Sequence, residues 1–361
     1  MPRMEPPNRL PIFDGHNDTF EMLYLPDPDS ERSFFEKSTK GHIDLPRALE
    51  GGFAGGFFAI FVPSESKARV RPGADLSDTV TSYTVPMAST PGYAHVHSVT
   101  FNAMAELFRL EAAAKGRIKV VCTPEDIQQC FNRGVLAVMV HFEGAEAIDT
   151  DLDALYVFHR AGLRSLGIAW SRNNAFGHGV PYRFPESPDI GPGLTEAGER
   201  LVRLCNSLGI LVDVSHLNEK GFWDVERITD RPIVATHSGV HALCPSSRNL
   251  TDKQLDAVGA SGGIVGVNFH VAFLRSDGRL DEKTPITEIV RHIEYIVKRI
   301  GIDHVGFGSD FDGATMPEEL GDAAGLPKLI QSLRDHSFDD GALEKITHKN
   351  WLRVIKETLN P

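Results

Sequence analysis

Basic residues are in deficit: 37 lysines and arginines face 49 aspartates and glutamates, a formal charge of −12 over 361 residues. No Lys/Arg cluster breaks that deficit, so the basic face that nucleic acid requires is missing and such a partner is excluded. Cysteine is scarce as well. Cys122, Cys130, Cys205 and Cys244 show no Cys-x-x-Cys spacing and read as free thiols of a reducing compartment. No apolar run reaches the roughly 18 residues that a membrane-spanning helix needs. Residues 1–10 hold no apolar core of signal-peptide length, and residues 356–361 no hydrophobic anchoring tail. The expected location is therefore cytoplasmic, with no membrane partner. Internal repeats and low-complexity tracts are absent too.

What is present is a globular composition, 41% hydrophobic and 24% charged, in a chain long enough to bury a core without disulfide staples. Eight apolar, β-rich runs occupy residues 12–18, 57–62, 136–143, 165–170, 210–216, 233–237, 263–269 and 304–310. Short apolar runs flanked by Gly and Pro are the pattern of strands covered on both faces. Between them lie helices. Residues 195–208 carry the stripe Leu201, Leu204, Cys205, Leu208, with Gly209 as a stop. Ile289, Ile293, Ile296 and Ile300 form another stripe closed by Gly301, and Thr251-Asp-Lys-Gln254 reads as a capping box. Eight strands alternating with helices predict a single α/β domain over residues 1–361, a (β/α)8 TIM-like barrel. A doubly wound sheet would gather its site at one crevice, whereas here the polar strand ends are spread along the chain. Residues 63–97, rich in Ser, Thr, Pro and Gly, read as an insertion after the second strand, a loop or lid on the site's face.

Barrel sites are built at the carboxyl ends of strands. His16 and Asp18 alternate on the first strand, so both face one way and can grip one ion. Glu143, Trp170, His216, His237 and Asp310 stand at later strand ends. Three His and three carboxylates are nitrogen and oxygen ligands suited to Zn2+, and they exceed what one tetrahedral ion needs. The count fits two ions about 3.5–4 Å apart, with Glu143 as the bridge. His141 shares a face with Glu143 and reads as its support. His42, His95, His97, His159, His178, His292, His304, His336 and His348 lack such placement and read as mostly solvated. Asp312 reads as a turn residue before Gly313.

The runs Asp14-Gly-His-Asn-Asp18, Glu143-Gly144, Leu211-Val-Asp-Val-Ser-His216, Thr236-His-Ser238, Ser247-Arg-Asn249 and Gly306-Phe-Gly-Ser-Asp-Phe-Asp-Gly313 resemble those of the membrane (renal) dipeptidase family, dinuclear zinc hydrolases of the amidohydrolase superfamily. The resemblance implies that His16 and Asp18 bind one zinc, that His216 and His237 bind the other, and that Glu143 bridges them. Mn2+ or Co2+ would be substitutes. It makes Arg248 the holder of a dipeptide's free carboxylate, a role that suits a guanidinium fork. Asp310 becomes the group that takes a proton from the attacking water and passes it to the leaving amine. A dipeptide is the implied substrate, D-configured C-terminal residues included, and a homodimer the implied assembly. Another amidohydrolase activity, on a cyclic amide, lactone or phosphoester, is the alternative. So is a non-catalytic barrel that keeps its metals for structure. Two departures from the family stand out. Trp170 occupies the place where vertebrate members carry a His that contacts the substrate carbonyl, with His270 as a substitute lining the pocket. The disulfides and lipid anchor of the secreted members have no counterpart.

Overall fold

The computed structural model describes residues 10–24, 32–64, 72–77 and 79–359. Its main strands follow one another in chain order: β1 (Ile12–Asn17), β2 (Phe53–Phe61), β3 (Leu136–Glu143), β4 (Leu163–Gly167), β5 (Leu211–Asp213), β6 (Val234–Ser238), β7 (Ile264–Val267) and β8 (Val305–Phe307). Each pairs in parallel with the next. The ring closes just beyond the strand ends. There Asn17 bridges Phe311, and the Asp310 and Asp18 amides donate to the carbonyls of His16 and Phe311. The result is a TIM-like barrel with its helices outside, as the alternation predicts. A short extra strand, Ile118–Val120, pairs with β3.

Local chemistry sets the helix ends. Thr195 accepts the Gly198 amide at the start of Glu196–Leu208, and Gly209 stops that helix at φ 67°. The Gln254 side chain takes the Thr251 amide ahead of Asp252–Ala260. Ile289, Ile293 and Ile296 are the buried face of Thr287–Ile300. Among the described residues no helix is long and apolar enough to cross a membrane.

Four strands end sooner than the apolar runs suggest. β4, β5, β7 and β8 stop at Gly167, Asp213, Val267 and Phe307, and the chain then turns to aim side chains inward. His216 and Asp310 sit in such turns with φ of 62° and 60°, values that non-glycine residues rarely adopt. The 63–97 insertion also needs correction. Residues 65–71 and 78 lie outside the described residues. Of the rest, Tyr83–Thr84 pairs antiparallel with Arg183–Phe184, and a helix begins at Tyr93 and runs to Ala113. Val96, Thr100, Ala103, Leu107 and Leu110 form its buried stripe, so residues 93–97 are helix rather than loop.

Apolar side chains form two layers. The larger lies between strands and helices. The smaller fills the barrel lumen with Phe13, Phe57, Met139, Leu211, Val234 and Ile264, and is completed by Trp351 from the helix Asn350–Leu359. Trp351 is fully buried and donates its indole N–H to the Phe307 carbonyl at 3.1 Å. A Cβ on Gly15 or Gly306 would come within 2.4 or 2.5 Å of that indole, so these strands must carry glycine there. Ring contacts continue upward from Trp351 to Phe57, from Phe57 to His141 and from His141 to His16. The indole thus forms the floor on which the polar end rests. Trp351→Ala should cost about 3–5 kcal/mol in chemical denaturation; a loss below about 1 kcal/mol would show that the lumen closes without it.

Candidate metal centre

The carboxyl ends of the strands converge on one buried cluster. His16 and Asp18 come from the end of β1, Glu143 from the end of β3, His216 from the turn after β5 and His237 from β6. Glu143 Oε1 lies 3.1 Å from His216 Nε2, 3.6 Å from His237 Nε2 and 3.8 Å from His16 Nε2. Asp18 Oδ2 is 3.5 Å from His16 Nε2. The Nε2 atoms of His216 and His237 face each other at 2.9 Å. Two sets of donor atoms lie close enough to share an ion: His16, Glu143 and His237, and His16, Asp18 and Asp310. Asp310 joins the second set from the turn after β8. A Cβ on Gly313 would collide with the carboxylates of both Asp18 and Asp310, so a side chain there would push the two apart.

Electrostatics fit this donor set to cations. Burial lowers the pKa of His16, and that of His216 and His237 well below the usual value, which leaves three neutral imidazoles with lone pairs to offer. Burial raises Asp18 to about 7 and Asp310 to about 6, with Asp18's charge adding to the shift of Asp310. Glu143 is raised well above its ordinary value by burial and by the charges of Asp18 and Asp310. Both ring nitrogens of His16 and Oδ1 of Asp18 are buried without a hydrogen-bond partner. Acceptors this crowded and this dry are costly alone and are balanced by a bound cation.

Behind the cluster lies a layer that the sequence reading did not find. Ser171 Oγ meets His216 Nδ1 at 2.8 Å, and Thr236 Oγ1 meets His237 Nδ1 at 2.9 Å. The Asn268 amide donates to Asp310 Oδ2 at 2.8 Å and accepts the His270 backbone N–H. Hydroxyls and amides of this kind carry no sequence pattern, although Ser171, Thr236 and Asn268 each lie within two residues of an expected site residue. His141 is buried, as a support should be, with Nδ1 on Ser165 at 2.8 Å and Nε2 3.7 Å from Asp213.

Arg248 is buried and donates from Nη2 to the His237 carbonyl at 3.0 Å, while its Nε has no partner. Its guanidinium lies over the Phe273 ring. His270 is buried with Nδ1 against the backbone of Thr315, and burial lowers its pKa to about 4. Trp170 stands three residues beyond β4, its ring 5.9 Å from His216 and 4.8 Å from Phe61. Arg172 holds this wall from behind. It is fully buried, pairs with Glu146 at 2.6 Å, and lies over both the Phe61 and Trp170 rings.

Several histidines differ from expectation, and one aspartate does more than expected. His292 is not solvated: its Nδ1 accepts the Val240 amide and its Nε2 donates to the Leu274 carbonyl, which ties two loops together. His348 is buried as well, and His42 is only partly exposed. Asp312 does sit in a turn, at φ 69°, yet its buried carboxylate also accepts from Thr19 at 2.8 Å and from Arg32 at 3.0 Å. It fastens the segment after β1 to the turn that carries Asp310.

A family model described as membrane dipeptidase (peptidase family M19) matches residues 7–360. The chain belongs to the membrane dipeptidase family. Membership makes it a metallo-dipeptidase, a hydrolase. A metallopeptidase structure from Rhodobacter sphaeroides, liganded with a phosphinate mimic of the dipeptide L-Ala-D-Ala, superposes with a TM-score of 0.90 at 46% identity, over 97% of this chain and 99% of that one. The structure of a metallopeptidase called dipeptidase AC gives 0.91 at 46% identity, covering 98% and 99%. Dipeptidase tcpJ of Claviceps purpurea is 30% identical over 95% of this chain and 76% of its own length.

The titrations set the stability of the metal-free protein against pH. Below pH 6.5 the unfolded chain protonates histidines that the fold keeps neutral, among them His141 at about 3 and His270, His292 and His348 at about 4. Stability therefore rises with pH up to that point. From about pH 4 upward the folded state holds extra protons on Asp14 and Asp18, at about 7, and on Glu143. These are fewer than the buried histidines and oppose them, and they act alone once the histidines are neutral in both states. Stability therefore falls as pH rises through 7 and beyond. Thermal melts of chelator-treated protein should peak near pH 6.5, and metal should remove the alkaline decline; a metal-free melting temperature that keeps rising to pH 8 would contradict the carboxylate assignment.

Proposed function

We propose that this member of the membrane dipeptidase family is a dinuclear zinc enzyme that cleaves dipeptides bearing a free C-terminal carboxylate, D-configured second residues included. The observation that carries this reading is Arg248: a buried guanidinium with an unpartnered Nε, anchored to the carbonyl of His237 beside the donor cluster. A buried cation of this shape calls for an anion, and a carboxylate takes its two-pronged hydrogen bonds. The relative crystallised with an L-Ala-D-Ala mimic supports the substrate class and its stereochemistry.

His16, Asp18 and Glu143 would hold one ion, and His216, His237 and Glu143 the other. Nitrogen and oxygen donors suit Zn2+, with Mn2+ or Co2+ as substitutes. Bound there, the ions would supply Lewis acidity to the scissile carbonyl and make water a nucleophile at neutral pH. Asp310 handles the proton. Asn268 occupies its Oδ2, which leaves Oδ1 to take a proton from water and return it to the leaving amine. A pKa of about 6 suits both halves of that task near neutrality. His270 lines the carboxylate pocket with its Nδ1 anchored, leaving Nε2 for the substrate. Trp170, pinned by Arg172, gives the wall beside His216 a large apolar face. At that position Trp170 offers one indole N–H in place of an imidazole, so more of the carbonyl's orientation falls to the ions and the pocket.

A panel of L-L and L-D dipeptides with C-terminally amidated controls tests the reading. Turnover should be confined to free carboxylates; equal rates on amidated controls would remove it. Arg248→Ala should cost about 1.5–3 kcal/mol in kcat/KM on free-carboxylate dipeptides, the worth of a charge-assisted hydrogen bond. Asp310→Asn should keep its metal and lose roughly 10^2–10^4 in kcat; near-normal turnover would take Asp310 out of the mechanism.

A further inference from the structure

Asp213 is buried beneath the cluster and touches neither the substrate pocket nor any expected metal position. Its Oδ1 accepts the backbone amides of Ser215 at 2.9 Å and Thr236 at 2.8 Å. Its Oδ2 accepts the Thr236 hydroxyl at 2.6 Å. A hydroxyl has one proton to give. Thr236 gives that proton to the carboxylate, so toward His237 Nδ1, 2.9 Å away, its oxygen can only accept. His237 must then carry its proton on Nδ1 and present Nε2 as a bare lone pair, 3.6 Å from Glu143 Oε1 and 2.9 Å from His216 Nε2.

The other two imidazoles lack such a determinant. Ser171 beside His216 also meets the Tyr182 hydroxyl, which can give or take a proton, so the hydrogen bond to His216 can run either way. The ring nitrogens of His16 have no hydrogen bond, and the ring stacks on His237 with centroids 3.8 Å apart. We infer that Asp213, acting through the Thr236 hydroxyl, is a positioning residue that sets the tautomer of His237 and thereby the affinity of the metal position His237 serves. This rests on the reading of His237 as a ligand. Carboxylates or carbonyls usually make this contact with a ligating histidine directly, and removing such a partner costs about 10–100-fold in metal affinity. Here a hydroxyl is interposed, which makes the direction of its hydrogen bond the controlling variable.

That direction can be reversed without changing shape. In Asp213→Asn the side-chain oxygen still accepts the two backbone amides, while the new NH2 donates to Thr236 Oγ1. The hydroxyl proton is then released toward His237 Nδ1, and the proton of the imidazole moves to Nε2, where an ion would bind. Thr236→Val removes the link, and Thr236→Ser retains it.

The test compares these full-length chains, zinc-loaded, by chelator competition, and reads the histidine tautomers by 15N NMR of histidine-labelled protein. Wild type and Thr236→Ser should hold their zinc alike. Asp213→Asn and Thr236→Val should release one equivalent at chelator strengths about 10–100-fold lower, and only Asp213→Asn should show His237 protonated on Nε2. Unchanged zinc retention in Asp213→Asn, or a wild-type His237 protonated on Nε2, would overturn the inference. If wild type took up no zinc, the ligand reading would fail instead, and the 15N signal of His237 would still decide the relay.

Discussion

Glu143 carries its carboxylate into a ring of three imidazoles, with Asp18 and Asp310 close by, and none of these groups has water enough to hydrate its charge. Burial alone drives the acids toward protonation and the histidines toward neutrality. Such a cluster is stable as a set of acceptors only around a cation, and the rest of the barrel can be understood as the frame that holds acceptors where they repel one another. The three imidazoles reach the centre from β1, β6 and the turn after β5. The strained turns at His216 and Asp310 aim their side chains inward, and the Gly313 position lets Asp18 and Asp310 approach.

The barrel was legible because its strands are covered on both faces and so read as apolar runs. The convergence of His16, Asp18, Glu143, His216, His237 and Asp310 was legible because polar residues at the ends of such runs are conspicuous. Strand ends were less so. At 165–170 the run of residues continues past the ladder, since the chain still buries apolar groups such as Ile168 and Ala169 while it bends. The helix from Tyr93 was hidden by the Ser, Thr and Pro upstream of it. His292 looked solvated because nothing in sequence shows that two backbone groups, the Val240 amide and the Leu274 carbonyl, would meet its ring. Asp213 lay within the recognised run ending at His216, yet its partner Thr236 lies on a different strand. Only the fold brings the two together.

Charge is also organised away from the centre. Asp312 gathers Arg32, Thr19 and the His42 backbone amide, and Arg47 pairs with Asp44 and Asp322. The Asp312 contacts and the Arg47–Asp322 pair join the segment after β1 to the chain that follows β8, the seam where the ring closes. Buried ion pairs are weak sources of net stability and strong sources of fixed geometry when every partner is present. At this seam geometry is what matters, because Asp18 and Asp310 sit on its two sides.

The indole beneath the lumen bears on how the protein is made. Trp351 follows all eight strands in sequence, so a nascent chain that already contains every strand still lacks the floor of its own barrel. Until residue 351 has been synthesised and has swung under the strands, the space left by Gly15 and Gly306 stands open below, and Phe57 lacks the indole it packs against. The polar cluster overhead is therefore supported last, although its first two residues, His16 and Asp18, are made long before Trp351.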